Sequence, residues 1–260
     1  MNNSFIQLQI SNGVGVITLN RPEKYNSFVR EMALQMQQAL QECSSNTLVR
    51  AVLINAAGKA FCAGQDLAEA VDPAAQGIAK IVEENYNPII LQMREMPKPV
   101  ICAVHGAAAG AGANIALAAD IVIAASNANF IQAFSKIGLV PDSGGTYMLP
   151  RLVGFQRAMA LMFLGDKVSA TEALKMGMIY KVAEDDKLAE EALNIATTLA
   201  NMPTMAFAYT KELLNKSMHN TLREQLTLEG VLQEKAANTN DFREGVAAFL
   251  EKRLPIFKGN

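Results

Sequence analysis

The chain is poor in the residues that build metal centres and disulfide scaffolds. It has three cysteines and two histidines in 260 residues. Cys43, Cys62 and Cys102 form no CxxC pair, and neither His105 nor His219 belongs to an HExxH motif or a His/Cys cluster. This excludes the usual sequence patterns of a structural zinc site or a disulfide framework, and no resident metal is expected. Three unpaired thiols fit a reducing cytoplasm. Charge is also scarce. Asp, Glu, Lys and Arg make up 18% of the residues and nearly cancel, leaving a formal net charge of -2. No strong positive field exists to attract a polyanion, so nucleic acid is not an expected partner. Met1–Gln9 lacks a basic segment followed by an apolar one, so no secretory leader is expected there. The most apolar stretch, Pro99–Ala125, is interrupted by His105, glycines, Asn114 and Asp120. It reads as buried strand, loop and helix, so no membrane span is expected.

Apolar residues are what the chain has in quantity. Half of it is hydrophobic, enough at this length for one large α/β domain or a domain with a helical tail. Phe5–Ile10 and Val14–Leu19 read as strands joined by the hairpin signal Asn12-Gly13. Glu31–Glu42 carries Met32, Met36, Ala39 and Leu40 at helical spacing. Arg50–Asn55, Val100–Val104 and Ile121–Ala124 are short apolar runs of the kind buried in parallel sheets. Gly77–Met96 reads as helix, stopped by Pro97-Lys98-Pro99. Gly106–Gly112 reads as a loop and Ala113–Ala119 as helix. Beyond Gly154, helical stretches dominate: Gln156–Leu164, Ala170–Met176, Leu188–Ala200, Thr204–Ser217, Leu222–Ala237 and Phe242–Glu251, with a strand at Met178–Val182. Strand and helix alternate in the first part, which predicts a parallel or mixed sheet with crossovers. The helical end either makes subunit contacts or packs on its own core.

Two small-residue loops follow predicted strands, Phe61–Leu67 and Gly106–Asn114. Loops at the carboxyl ends of parallel strands are where open α/β sheets bind ligands. Small residues let backbone approach a ligand, and free N–H groups there can stabilise an oxyanion. Gly110-Ala111-Gly112 does not complete a dinucleotide motif, because its third glycine would fall at Ile115, and no Gly-Lys-Ser/Thr ends a phosphate loop. Tight strand–helix packing explains each loop, taken singly, about as well as ligand binding does.

An ordered set of motifs adds to this reading. Asn20-Arg21-Pro22 with Asn26 comes first, then Phe61-Cys62-Ala63-Gly64-Gln65-Asp66-Leu67 and Pro97–Val104. The Gly/Ala loop with Asp120 follows, and Gly138-Leu139-Val140-Pro141-Asp142-Ser143-Gly144-Gly145 completes the series. The set resembles the crotonase, or enoyl-CoA hydratase/isomerase, superfamily along nearly the whole chain. The resemblance implies an α/β fold with a spiral core of stacked ββα units, over residues 1–200. A C-terminal helical region, 201–260, would serve trimerisation, giving a homotrimer or a dimer of trimers. It implies an acyl-CoA substrate, with CoA as part of that substrate and no separate cofactor. It also implies an oxyanion hole of two backbone N–H groups, at Ala63 and Ala111. Gly64, Gln65, Asp66, Leu67 and Gly110 would line the substrate beside them.

The hydratases of this family use two glutamates, and the matching positions here are Asn114 and Phe134. Neither can exchange a proton, so hydration is expected to be weak or absent. Asp142 is the carboxylate left to shuttle one, with its affinity raised by an apolar setting. Its competing role is to cap a helix beginning near Gly144. Ala133–Thr146 and Phe242–Leu250 resemble the phenylacetate-degradation branch of the family. Chemistry in that branch includes isomerising a ring epoxide of phenylacetyl-CoA to an oxepin and shifting an enoyl-CoA double bond from position 3 to position 2. Phe134 would shape an apolar acyl pocket. Asn114 would bind substrate or water, or else satisfy its own helix. Cys62 has no base nearby in sequence, and His105 reads as structural. Lys24 and Lys258 are the cations expected at the CoA phosphates, Lys258 in its own or a neighbouring subunit, unless they are ordinary surface lysines.

Overall fold

Strands β1 (Ile6–Ser11) and β2 (Val14–Leu19) pair antiparallel across a tight turn in which Asn12 and Gly13 both take positive φ, 50° and 78°. That is the conformation the Asn-Gly pair predicts. The computed structural model to which they belong describes residues 4–260, so the first three residues of the expected 1–200 core lie outside it. Helix α1 (Arg30–Ser45) follows, then β3 (Ala51–Ala56), the short helices α2 (Leu67–Ala70) and α3 (Ile78–Lys80), and α4 (Asn87–Glu95). Next come β4 (Val100–Val104), β5 (Ala107–Ala109), α5 (Ala111–Leu117), β6 (Ile121–Ala125) and β7 (Asn129–Ile131). Helices α6 (Gly145–Val153) and α7 (Phe155–Leu164), strand β8 (Lys167–Ser169), α8 (Ala170–Lys175) and β9 (Lys181–Ala183) lead into the helical end. That end comprises α9 (Leu188–Ala200), α10 (Thr204–Ser217), α11 (Leu222–Ala237) and α12 (Asn240–Glu251).

One sheet has the order β1-β2-β3-β4-β6-β9, parallel from β2 onward; a second has the order β5-β7-β8. Successive turns of chain give one strand to each layer: β4 then β5, β6 then β7. Isolated parallel bridges, Phe28 with Gln65 and Cys62 with Ala108, carry the second layer on past β5. The result is the stacked ββα spiral of the crotonase fold, with a helical C-terminal region. The large sheet is covered on both faces. Val52 and Ile54 of β3 face the cluster that includes Met32, Met36 and Met93, while Ala51 and Leu53 face Leu188, Ala192 and Ala196 of α9. Two buried faces explain why these strands read as continuous apolar runs. Helix α10 is fastened to the core by Lys211, whose Nζ donates to Met93 O (2.7 Å) and to the Asp120 carboxylate (2.7 Å).

Several sequence expectations are corrected. The helix predicted over 77–96 is continuous but π-helical from Ile81 to Tyr86. Pro88 has no N–H to offer the Glu84 carbonyl one turn back. Gln37 Nε2 supplies the missing donor at 2.8 Å. The Gly106–Gly112 loop contains strand β5, and α5 begins at Ala111 rather than Ala113. The pairing of β5 with β7 is a tertiary contact, and a run of alanines carries no periodicity to announce it. Strands β7 and β8, three residues each, had no signal of their own, and the strand expected at Met178–Val182 is observed at Lys181–Ala183.

Candidate active site

The loops after β3 and β4 are held together by backbone. Cys62 N–H donates to Ala107 O (3.1 Å), and Ala109 N–H donates to Cys62 O (2.9 Å). Gly64, at φ +92°, lies so close to the second loop that a methyl there would stand 2.9 Å from Ala109 O and 3.5 Å from Ala111 N. Asn26 ties in a third segment: its Nδ2 donates to Ala57 O (2.8 Å) and Ala60 O (2.9 Å), while its Oδ1 accepts from Arg21 N–H (2.7 Å). Arg21 Nη1 in turn donates to Asp66 Oδ2 at 2.8 Å.

These loops open onto a cavity of about 580 Å³ whose walls are mostly apolar. Leu67, Val71, Ile78, Ile81, Phe134 and Leu139 are among its apolar lining residues. Asp142 lines it and is the one carboxylate among the described residues that does so. Burial pushes its carboxyl above the usual carboxylate range, and the Ser143 hydroxyl, donating to Oδ1 at 2.8 Å, offsets this in part. Asp142 does not cap the following helix with its side chain: α6 has Gly144 at its N-cap with no side-chain bond. Its backbone carbonyl is taken by Gly145 N–H (2.9 Å) and by Asn114 Nδ2 (2.8 Å). Ser143 and Gly144 both take positive φ, 50° and 71°, so the chain turns sharply after the acid.

The expected oxyanion donors divide. Ala111 is the first residue of α5, where an N–H has no acceptor within the helix, and it lines the cavity. Ala63 also lines the cavity, but its N–H donates to Tyr25 O at 3.0 Å and is not free for a ligand. The free donor lies two residues on. Gln65 N–H has no partner among the described residues, while the adjoining Gly64 O and Asp66 N–H are bonded to Phe28 at 2.7 and 2.8 Å. The sequence places Gln65 beside the substrate without marking its N–H as the free one, because nothing in the sequence shows that Tyr25 takes the Ala63 donor.

The remaining expected residues also separate. Gly64, Gln65, Leu67, Gly110 and Phe134 line the cavity. Asp66 is turned to structural work: it caps α2 through Ala68 N–H (3.0 Å) and pairs with Arg21. Burial alone would raise its carboxyl, but the Arg21 and Ala68 bonds and the charges of Arg21 and Lys24 outweigh that and hold it low. Asn114 is buried, its amide spent on Asp142 O and on Gln132 Nε2 (2.8 Å), so it positions the acid's backbone and does not face the cavity. Lys24 is exposed beside the entrance loop and is not in the cavity wall. Lys258 lies at the opposite end of the large sheet. Its N–H donates to Asp241 (2.6 Å), and the neighbouring Phe257 O accepts from Arg50, just before β3. The site loops leave β3 at its other end, about 17 Å away along the strand. The cation in the wall is Lys136. Cys62 donates its thiol to Asn26 O (3.1 Å), and burial pushes it up to about 12, far from a thiolate at neutral pH. His105 Nε2 contacts Gly58 O at 3.0 Å and is not in the cavity wall. Sequence reasoning also missed Tyr86, a buried phenol that reaches the cavity from the π-helical turn.

An acid in the cavity wall, with the Gln65 and Ala111 N–H groups that have no acceptor among the described residues, can move a proton on a carbon beside a polarised carbonyl. Comparison with known proteins gives the same direction. The Enoyl-CoA hydratase/isomerase family model matches residues 9–260. The 1,2-epoxyphenylacetyl-CoA isomerase of Escherichia coli K12 is 48% identical over 258 residues, covering 98% of each chain. The trans-2-decenoyl-[acyl-carrier-protein] isomerase of Streptococcus mutans is 40% identical over 258 residues, again 98% of each. Among solved structures, an enoyl-CoA hydratase from Polaromonas sp. JS666 superposes with a TM-score of 0.90 at 35% identity, covering 97% of this chain and 99% of that one.

Proposed function

The chain belongs to the enoyl-CoA hydratase/isomerase family, and on that premise we propose that it is an acyl-CoA isomerase using Asp142 as its single acid/base and the N–H groups of Gln65 and Ala111 as its oxyanion hole. Asp142 takes a proton from the carbon next to the thioester carbonyl. The electron pair moves onto the carbonyl oxygen, where two fixed donors hold the enolate charge. Asp142 then returns the proton at another carbon. Applied to a 3-enoyl-CoA, removal at C2 and return at C4 leaves the double bond between C2 and C3. Applied to the ring epoxide of phenylacetyl-CoA, electrocyclic opening breaks the C–C bond shared by ring and epoxide to give the seven-membered oxepin. Removal of a proton at C2, with its return on the ring carbon adjoining the attachment point, leaves the double bond between C2 and the ring, with no atom gained or lost. The raised proton affinity of Asp142 suits both halves, since a base that is too weak cannot take the proton and one that is too strong cannot return it.

The observation that carries this reading is the composition of the cavity wall. Among the described residues it holds one carboxylate, and the positions where hydratases of the family place glutamates are Asn114, committed to Asp142 O and Gln132, and Phe134, an apolar wall. Water addition by the two-glutamate route of those hydratases has no second carboxylate among the described residues to position and deprotonate the water. A paired turnover assay tests this. Crotonyl-CoA hydration and isomerisation of a 3-enoyl-CoA, or of the ring epoxide of phenylacetyl-CoA, are followed on the same protein. Isomerisation without hydration supports the reading. Fast hydration makes the protein an ordinary hydratase, and binding of the CoA esters without any turnover makes it a non-catalytic binder.

The reading extends to assembly. A homotrimer, or a dimer of trimers, is supported by Phe249, Leu250, Leu254 and Ile256 at the C-terminal end, each at least 73% exposed in the single chain. The three buried free thiols suit a cytoplasmic setting. The chemistry asks for no cofactor beyond the CoA of the substrate.

A further inference from the structure

The Gln65 donor follows a glycine at φ +92°, a position with little intrinsic stiffness. The side chain of Gln65 is, by contrast, held at both ends. Tyr86 Oη donates to Gln65 Oε1 at 2.8 Å, and Gln65 Nε2 donates to Glu69 Oε2 at 2.8 Å. The Glu69 carboxylate is fixed by the N–H of Arg30, at 3.0 and 3.2 Å, the first residue of the long helix α1. The bonds run one way, phenol to amide to carboxylate, so each donor polarises the next. Tyr86 is 1% exposed and stands on the π-helical turn Ile81–Tyr86, a helix form that recurs at functional sites. Its ring stacks at a tilt against Phe28, 5.9 Å between centroids, and Phe28 backbone flanks Gln65 on both sides.

We propose that Tyr86 and Glu69 are positioning residues that lock Gln65 and thereby aim its backbone N–H at the thioester oxygen. This rests on the functional reading above, in which Gln65 N–H is an oxyanion donor. Through Arg30 the clamp joins the first turn of α1 to the loop that carries the Gln65 donor. It acts on the enolate common to every substrate and not on any one acyl group.

The test uses Tyr86→Phe, Gln65→Met and the double variant, all of which keep the backbone N–H. Two readouts are taken: kcat and KM for isomerisation, and the enolised fraction of bound acetoacetyl-CoA from its ultraviolet absorbance. Each single variant is expected to lose about tenfold in kcat and in the bound enolate ratio, the lower end of the cost of removing a group that orients a metal ligand. KM and the acid limb of the pH profile stay as in the wild type, and the double variant is no worse than Gln65→Met alone. Single variants within twofold of wild type in both readouts would overturn the proposal. So would losses that multiply in the double variant, or losses that track a fall in thermal stability and vanish on cooling. A wild-type protein that isomerises no acyl-CoA overturns the functional reading instead, and the enolate measurement still decides whether the clamp exists.

Discussion

Replacing Gly64 with alanine probes the contact on which the site geometry depends. The added methyl would lie 2.9 Å from Ala109 O, a backbone atom of the partner loop, and 3.5 Å from Ala111 N. A carbonyl cannot rotate away like a side chain, so the two loops must part. The residue would also sit at φ +92°, which costs an L-residue about 1–2 kcal/mol. Overpacking adds about 1–3 kcal/mol. Together they give a loss of roughly 2–5 kcal/mol, or a fall in Tm of about 5–15 °C for a chain of this size. The same movement separates the Gln65 and Ala111 donors, and misplacing a reacting geometry by about 1 Å can cost on the order of 10²-fold in kcat. Calorimetry and isomerase assays on Gly64→Ala are expected to show both losses. A Tm within about 2 °C of the wild type, or wild-type kcat, would refute the argument that backbone contact between the loops sets the donors.

Two other outcomes follow from the same geometry. Because burial raises the Asp142 carboxyl in the folded protein, the folded state binds more protons than the unfolded one between the ordinary carboxylate value and the raised one, and stability falls as pH rises through that window. Asp142→Asn is therefore expected to raise Tm at neutral pH, with the gain disappearing under acid conditions below the ordinary carboxylate range; a Tm that drops at neutral pH contradicts this. Asn114→Ala removes the bonds to Asp142 O and Gln132 and strands a buried amide, so it should cost about 1–3 kcal/mol in a denaturant titration and lower kcat more than it changes KM.

What could be read in the sequence was set by how local the cause was. Strands β3, β4 and β6 announced themselves because both of their faces are buried, and the β1–β2 hairpin because Asn12-Gly13 allows positive φ. Strands β5, β7 and β8 exist through pairing with each other and, for β5, with Cys62, and Ala107–Ala109 looks the same as loop or strand until a partner is present. The π-turn at Ile81–Tyr86 depends on Pro88 acting together with Gln37 from another helix, a contact across 47 residues. At the site, the placement of Asp142, Ala111, Phe134 and Leu67 on one cavity was within reach of motif order. The displacement of the first donor from Ala63 to Gln65 was not, since it depends on the Tyr25 carbonyl, delivered by a loop in which Tyr25 and Asn26 both take positive φ. Likewise Asn114 had two readings in sequence, and only the distances to Asp142 O and Gln132 separate a structural strut from a substrate contact.

The central claim is that one carboxylate moves the proton, and Asp142→Asn tests it most directly. Turnover of a 3-enoyl-CoA is measured alongside calorimetric binding of the same ester and the oligomeric state. The account predicts that isomerisation is lost while binding and assembly match the wild type. Isomerisation at the wild-type rate in the Asp142→Asn variant would place the acid/base elsewhere and contradict it.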